Sequence, residues 1–352
     1  MATKTNPGNF FEDFTLGQTI VHATPRTVTE GDVSVYSALY GTRFAVQSSR
    51  AFAESIGYPQ TPVDDLLVFH VVFGKTVPDV SLNAVANLGY AAGRFGVPVY
   101  PGDSLHTVSE VIGLKENSNG KTGTVYVRSI GANQRGETVL DYVRWVMVRK
   151  GDPDAPSADP VVPELPDAVV MEDIAVPDGL DLSGYDAKLA GSPYFWDDYA
   201  AGEKIDHVDA MTVEEADHMT AARLYQNTAK VHFNQHTEKD GHFGRRIVYG
   251  GHVISLARAF SFNGLANAFK VAAINGGRHV APIFAGDTVY AWSEVLEKAE
   301  LSGRTDLGAL RLRMIATKDQ ACTDFPGQDA DGAYDPSVVL DFDFTVLMPR
   351  RG

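Results

Sequence analysis

The segment TVTEGDVSVYSALYGT occupies residues 27–42, and a near copy, TVEEADHMTAARLYQN, occupies residues 212–227. The two copies are 185 positions apart. A second pair keeps almost the same spacing, since YPGDSLHTVSEVI at 100–112 matches most of IFAGDTVYAWSEVL at 283–296. Matches in the same order and at a nearly constant distance indicate an internal duplication. The chain is therefore predicted to hold two copies of one folded unit.

Composition limits the class of protein. The 352 residues are 44% hydrophobic and 21% charged, as in soluble globular proteins of two ordinary domains. The net charge of -15 argues against non-specific nucleic-acid binding, which needs a basic surface. The N-terminus lacks the apolar core of a signal peptide, and no apolar run is long enough to span a membrane. The single cysteine, Cys322, fits a reducing compartment, so a cytoplasmic location is expected.

A proline-rich and aspartate-rich connector separates the two copies. It covers residues 150–192, between an N-terminal repeat at 1–149 and a C-terminal repeat at 193–352. Prolines fix the φ angle and remove backbone donors, so this connector is predicted to be extended and mostly on the surface.

Each repeat is predicted to begin with a short helix after its aromatic and acidic entry. Thr27 and Thr212 are the predicted N-caps, because Glu30 and Glu215 follow three residues later at the spacing of a capping box.

A long apolar helix is predicted next in each repeat, at residues 62–74 and 247–262, followed by segments that alternate in the manner of strands. A helix that is apolar on all sides is buried on all sides only if a sheet curls around it. The predicted class is therefore α+β, with an antiparallel sheet wrapped around one helix in each repeat.

The second repeat has a polar cluster that the first has lost. Asn227 and His232 precede the long helix, and Gly250 lies near its start. Backbone N–H groups at a helix start lack intrahelical partners, and a glycine lets a ligand oxygen approach them, as in an oxyanion hole. An imidazole moves protons at neutral pH, whereas an amide only orients water.

At the spacing of 185, the first repeat has Thr42, Gln47 and Asp65 in place of these three residues. A carboxylate at the helix start would repel a developing oxyanion. One active site per chain is therefore predicted, in the second repeat.

These residues resemble the MaoC-like, R-specific enoyl-CoA hydratase family, whose pattern is Gly-Asp-x-Asn-Pro-x-His followed by Ile-Val-His-Gly at the central helix. His232 matches the histidine, and Phe243-Gly-Arg-Arg-Ile-Val-Tyr-Gly250 matches the approach to the helix glycine. The resemblance covers most of both repeats and implies a double hotdog fold. It also implies water addition to an enoyl-CoA, a homodimer, and no cofactor, because coenzyme A is part of the substrate.

The chain departs from the family pattern at the catalytic aspartate, where it has Asn227, and at the family glycine, where it has Gln226. The resemblance points to mesaconyl-CoA (2-methylfumaryl-CoA) as the substrate. This molecule carries a free carboxylate that an anionic aspartate would repel, which gives a physical account of the change to asparagine. Asn227 would then hold the water, His232 would transfer the proton, and the product would be β-methylmalyl-CoA. The candidate substrate-binding residues are Gln226, Gly251, Arg245, Arg246 and Arg278, the arginines as partners of that carboxylate.

Other functions remain as alternatives. The substrate of a hydratase could be another branched or dicarboxylic enoyl-CoA such as itaconyl-CoA. A non-catalytic acyl-CoA-binding protein and a hotdog thioesterase are the alternatives from other classes. His232 and His236 are four residues apart, but no motif or carboxylate completes a metal site, so no metal is predicted.

Overall fold

A computed structural model of the protein describes residues 4–156 and 159–351. Within those residues the strands form a single antiparallel sheet. The strands are β1 (Thr19–Thr27), β2 (Ala84–Phe95), β3 (Ser104–Glu116), β4 (Thr122–Ala132), β5 (Thr138–Arg149), β6 (Lys204–Thr212), β7 (Lys270–His279), β8 (Thr288–Glu300), β9 (Leu307–Lys318) and β10 (Val338–Pro349).

The sheet consists of two halves with the same topology. Its strand order is β1-β3-β4-β5-β2-β7-β10-β9-β8-β6, so each half places its strands in the same sequence from the outer edge to the centre. The halves meet where β2 pairs antiparallel with β7, with Tyr90 opposite Gly277 and Arg94 opposite Ala273. The predicted duplication is confirmed, and joining the halves covers two sheet edges that would otherwise be exposed.

The helices lie between the strands in the same order in each half. They are α1 (Glu30–Tyr40), α2 (Ala45–Ser48), α3 (Arg50–Ser55), α4 (Asp65–Thr76), α5 (Ala187–Ala190), α6 (Glu215–Leu224), α7 (Gln235–Glu238), α8 (Gly250–Phe260) and α9 (Phe262–Leu265). No helix in the described part of the chain is long and apolar enough to cross a membrane.

The two central helices are α4 and α8. Residues 66–76 of α4 and 251–260 of α8 are all buried. α4 packs on β1, β3, β4 and β5, and α8 packs on β6, β8, β9 and β10. The predicted arrangement of a sheet around one apolar helix in each half is confirmed.

Both central helices begin three residues later than predicted. Asp64 caps α4, because its carboxylate accepts a hydrogen bond from the N–H of Leu66 at 2.8 Å. In the second half, the Val248 N–H donates to the carbonyl of Ile283, so residues 247–249 form a loop held against a distant segment and precede the helix.

The N-caps predicted at Thr27 and Thr212 are wrong. Both threonines end edge strands, and their hydroxyls lie 2.6 and 2.8 Å from those of Ser104 and Thr288 on the neighbouring strands. Thr29 caps α1 instead, and α6 has no side-chain cap. The capping-box spacing fitted the sequence, but cross-strand pairing of the threonines prevailed.

Equivalent residues of the two halves contact each other at the centre of the molecule. The hydroxyls of Tyr40 and Tyr225 are 2.7 Å apart, and His70 Nε2 lies 2.8 Å from the hydroxyl of Ser255. Both pairs are related by the same spacing of 185. A surface that meets its own copy in this way defines a two-fold axis, here an approximate one within a single chain.

The connector crosses the sheet and is partly built into the core. Val161 forms a bridge with Leu114, and the N–H of Val169 donates to Asn275 Oδ1 at 3.0 Å. Most of its described residues are exposed, but five apolar side chains join a buried cluster with α3 and β7: Val169, Ile174, Leu180, Leu182 and Ala190.

Candidate active site

His232 is held in one tautomer by the loop before α8. It ends a single 3-10 turn, Lys230–His232, and its Nδ1 lies 3.1 Å from the carbonyl oxygen of Ile247. A carbonyl only accepts hydrogen bonds, so Nδ1 carries the hydrogen and Nε2 presents its lone pair. The residue is therefore arranged to take a proton through Nε2.

Burial keeps this imidazole neutral. It lowers the pKa of His232 to about 4, with a smaller contribution in the same direction from His218. The hydrogen bond to the Ile247 carbonyl acts in the opposite direction and is too weak to compensate. A neutral imidazole at physiological pH functions as a general base.

Asn227 is buried just after α6. Its Oδ1 accepts a hydrogen bond from the Ala229 N–H at 3.0 Å, which leaves the Nδ2 group to donate elsewhere. The turn that carries it rests on the first-half helix α4, because a Cβ at Gly74 would overlap the carbonyl of Tyr225. The second-half site is therefore supported by the first half.

Gly250 is the first residue of α8, and the helix start there is open. Tyr249 occupies the N-cap position without a side-chain cap, so the first N–H groups are not blocked by the chain's own side chains. A Cβ at Gly250 would lie 2.6 Å from His279 Nδ1, which is closer than atoms pack. Only glycine fits beneath the His279 ring.

The corresponding helix start in the first half is occupied by carboxylates. Asp64 caps α4, and Asp65 accepts from Lys270 Nζ at 2.6 Å and from the Val271 N–H at 2.9 Å. Burial and the adjacent Asp65 charge raise the pKa of Asp64 to about 6. A developing oxyanion would be repelled at this end of α4 whenever these groups are ionised.

The three arginines predicted to bind the substrate carboxylate are placed apart from one another. Arg245 is exposed, donates to the Ala285 carbonyl at 2.6 Å and lies over the Phe284 ring. Arg246 pairs with Glu215. Arg278 is exposed on the face of β7 opposite to its neighbour His279, since successive strand residues point to opposite faces.

Gln226 and Gly251 are both beside the site but are engaged by other groups. Gln226 has a φ of 53°, the left-handed conformation that glycine adopts at least cost, and its Oε1 accepts from Lys75 Nζ. Gly251 packs against the rings of Tyr249 and His70, each of which a Cβ there would meet.

The sequence interpretation overlooked His279 and Tyr249. The His232 and Tyr249 rings are 5.6 Å apart, and His279 Nε2 lies 3.1 Å from the hydroxyl of Tyr90 across the β2–β7 junction. Burial, with a contribution from His232, lowers the pKa of His279 to about 4. One available signal was that His279 has no histidine counterpart at the matching first-half position.

In the described ranges, no group of three or more histidine, cysteine, aspartate or glutamate side chains is arranged to hold a metal ion.

Two halves of this topology define a double hotdog protein, and in the second half an open helix start lies close to a neutral histidine. The chain belongs to the mesaconyl-CoA hydratase family, whose model matches residues 1–330. It is 68% identical to the beta-methylmalyl-CoA dehydratase of Chloroflexus aurantiacus over the full length of both chains. It is 59% identical to the mesaconyl-CoA hydratase of Cereibacter sphaeroides, over 99% of this chain and 100% of that one.

Solved structures agree with the fold. A crystal structure of a MaoC domain protein from Chloroflexus aurantiacus superposes with a TM-score of 0.98 at 68% identity, covering all of both chains. A Mycobacterium tuberculosis protein with a double hotdog fold gives a TM-score of 0.75 at 26% identity, covering 98% of this chain and 99% of that one. The predicted double hotdog is confirmed.

Proposed function

We propose that this protein catalyses the reversible hydration of mesaconyl-CoA to β-methylmalyl-CoA. The observation that carries the proposal is a neutral imidazole with its Nε2 lone pair available, whose ring lies 5.6 Å from that of Tyr249, the residue before the uncapped helix start at Gly250. The reactions named for two full-length relatives are the two directions of this one equilibrium.

Gly250 is proposed to hold the thioester oxygen. Its N–H group and the positive end of the α8 dipole would polarise the carbonyl and stabilise the enolate that forms when water adds. Such donors are preorganised, because the backbone of α8 is buried and rigid. A distance of about 3 Å between the N–H and the oxygen would be required.

His232 is proposed to move the proton. Its Nε2 takes a proton from water as the C–O bond forms at the β-carbon, and the electron pair of the double bond passes to the thioester oxygen. The imidazolium then returns the proton to the α-carbon. Dehydration follows the same steps in reverse with the same groups.

Asn227 is proposed to orient the water. Because its Oδ1 is occupied by the Ala229 N–H, its Nδ2 donates to the oxygen of the water and leaves the water protons for His232. An amide in place of a carboxylate adds no negative charge beside a dicarboxylic acyl group.

The test is the ultraviolet absorbance of mesaconyl-CoA with purified wild type and with His232→Ala, with products identified by mass. Wild type should remove the conjugated enoyl-thioester band and add one water. His232→Ala should lose about 10²- to 10⁴-fold in kcat, the usual contribution of general acid–base catalysis. His236→Ala, at an exposed histidine four residues away, is the matched control and should keep wild-type activity.

Three outcomes would contradict the proposal. Tight binding without turnover would indicate an acyl-CoA-binding protein, and free coenzyme A among the products would indicate a thioesterase. Turnover of itaconyl-CoA but not of mesaconyl-CoA would indicate a hydratase for a different dicarboxylic substrate.

We also infer a homodimer and a cytoplasmic location. The family resemblance supports the first, and a single buried cysteine supports the second. Light scattering of the purified protein measures the oligomeric state directly, and a mass of one chain would contradict the dimer.

A further inference from the structure

Arg144 is a buried cation without an acidic partner. It lies on β5, its residue is 0% exposed, and it forms no ion pair with any carboxylate of residues 4–156 or 159–351. Its guanidinium donates only to neutral oxygens, of Thr76 at 2.7 Å, Ser81 at 3.3 Å and Asn87 at 3.5 Å. Burial lowers the pKa of this group. An unpaired buried charge is costly to a fold, so its presence calls for an anion that is not part of the chain.

On Arg144 and two nearby residues, three buried donors have no hydrogen-bond partner among the described residues. They are Arg144 Nε, the Tyr142 hydroxyl and Asn87 Nδ2. Tyr142 and Arg144 are two residues apart on β5 and so point to the same face. The nearby hydroxyls of Ser129 and Thr76 act to lower the pKa of Tyr142 against the larger effect of burial, but among the described residues no group forms a hydrogen bond of normal geometry with the Tyr142 hydroxyl.

Such a set of groups suits a carboxylate. A carboxylate has two oxygens with about four acceptor positions, and it would both neutralise the guanidinium and satisfy the three free donors. A neutral acyl group would leave the charge of Arg144 unpaired.

The cluster is connected to the catalytic residues by direct contacts. Tyr90 lies directly opposite Arg144 in the β2–β5 pairing, and its hydroxyl reaches His279, whose ring covers Gly250. The Arg144 guanidinium lies 4.3 Å from the centroid of the Phe73 ring, which in turn contacts the ring of Tyr249.

A cavity of about 840 Å³ opens next to the cluster. Asn87, Tyr90 and His279 are among the residues that line it, whereas Arg144 and Gly250 themselves are not. In mesaconyl-CoA only the double bond separates the free carboxylate from the thioester carbonyl, so a group held at Gly250 needs a nearby cation.

We propose that Arg144, together with Tyr142 and Asn87, binds the free carboxylate of the dicarboxylic acyl group and so selects this substrate over monocarboxylic enoyl-CoA esters. The inference rests on the proposed function and deepens it. Arg144 is preferred for this role to Arg245, Arg246 and Arg278, because it is buried with free donors, whereas Arg245 and Arg278 are exposed and Arg246 is paired with Glu215.

The test compares mesaconyl-CoA with crotonyl-CoA, which has no second carboxylate. Both the dissociation constant and kcat/KM are measured for wild type, Tyr142→Phe and Arg144→Met. Arg144→Met should weaken binding and lower kcat/KM for mesaconyl-CoA about 100-fold or more, with changes for crotonyl-CoA within about threefold. Tyr142→Phe should reduce the mesaconyl-CoA values about 5- to 20-fold without lowering the Tm, because its hydroxyl has no partner in the free protein.

Arg258→Met is the matched control. Arg258 is also buried and also lies over an aromatic ring, that of Phe44, but it is near Asp64 at the start of α4. It should change the Tm but leave the preference between the two thioesters unaltered.

Parallel losses for both thioesters in Arg144→Met and Tyr142→Phe would overturn the inference and assign Arg144 a structural role. If wild type binds mesaconyl-CoA without hydrating it, the proposed function fails, while the binding ratios still decide whether Arg144 recognises the carboxylate.

Discussion

Asp64 and Asp65 stand in the first half where Tyr249 and Gly250 stand in the second. Both pairs begin a buried central helix, but the first fills the helix start with carboxylates and the second leaves the N–H groups open. Because the surrounding backbone is duplicated, we attribute to this difference of two residues the anion-stabilising helix end that is proposed for the second half and not for the first.

At this scale Gly250→Ala tests the helix start. The new Cβ would be 2.6 Å from His279 Nδ1, so the ring must move and a ligand oxygen could no longer approach the N–H group. We expect kcat for mesaconyl-CoA to fall about 100-fold or more, the usual effect of losing an oxyanion-hole donor. Steady-state kinetics measures the change in kcat, and a circular dichroism spectrum checks that the variant is folded.

Gly31→Ala is the matched control, because Gly31 lies in the first turn of α1 and a Cβ there would make only one ordinary contact, at 3.5 Å. It should keep full activity and raise stability slightly. Wild-type kcat in Gly250→Ala would contradict the role of this N–H group.

At the scale of elements, the two central helices are joined by polar contacts across the approximate two-fold axis. Ser255 of α8 lies 2.8 Å from His70 Nε2 of α4 and accepts a hydrogen bond from the Tyr36 hydroxyl of α1 at 3.0 Å. All three residues are buried. The contacts fix the position of α8, and therefore of its N-terminus, relative to the first half.

Ser255→Ala should lower the free energy of unfolding by about 1–3 kcal/mol, because it leaves His70 and Tyr36 with buried polar atoms that lack this partner. Urea unfolding followed by circular dichroism measures the change. Ser34→Ala, which removes a hydroxyl bonded to the Glu30 carbonyl on the exposed part of α1, should shift it by less than about 0.5 kcal/mol. Equal shifts for the two variants would show that the contacts between the helices contribute nothing specific.

At the scale of the whole molecule, burial of histidine dominates the response to acid. Burial lowers the pKa of seven of the ten histidines below 6.5, and the values are about 3 to 4 where the shift is large: His22, His70, His207, His218, His232, His252 and His279. The folded state thus favours their neutral forms. Their contribution to stability is present above pH 6.5 and is lost as the pH falls toward 4.

We therefore expect the free energy of unfolding to fall between pH 6.5 and 5, by up to about 1.4 kcal/mol per pH unit for each such histidine. His207→Gln removes one of them at a site remote from Gly250 and should reduce this slope by about 1 kcal/mol per pH unit. Urea unfolding at several pH values measures the slope. His236→Gln, at an exposed position, should not change it, and an unchanged slope in His207→Gln would refute the linkage.

Comparing the two repeats within one chain was enough to predict the duplicated α+β fold and the buried helices, while the loss of the site from the first half stays a prediction. These features depend on periodicity and on residue identity at matched positions, which are local properties of a sequence. The first helix of each half, α1 or α6, begins later than predicted because Thr27 and Thr212 pair across strands, a contact that the capping-box spacing does not reveal.

The partners of charged and aromatic side chains depended on tertiary structure. Arg245, Arg246 and Arg278 were plausible carboxylate ligands from their distance in sequence to the site, but folding exposes or pairs them. Arg144 lies in a strand more than a hundred residues before Gly250, and only the folded protein brings β5 and α4 together around it and leaves its charge unpaired. Repeat pattern and residue identity thus predicted which half would carry the site, whereas burial and pairing, which are set by contacts between distant segments, single out Arg144 as the residue proposed to complete it.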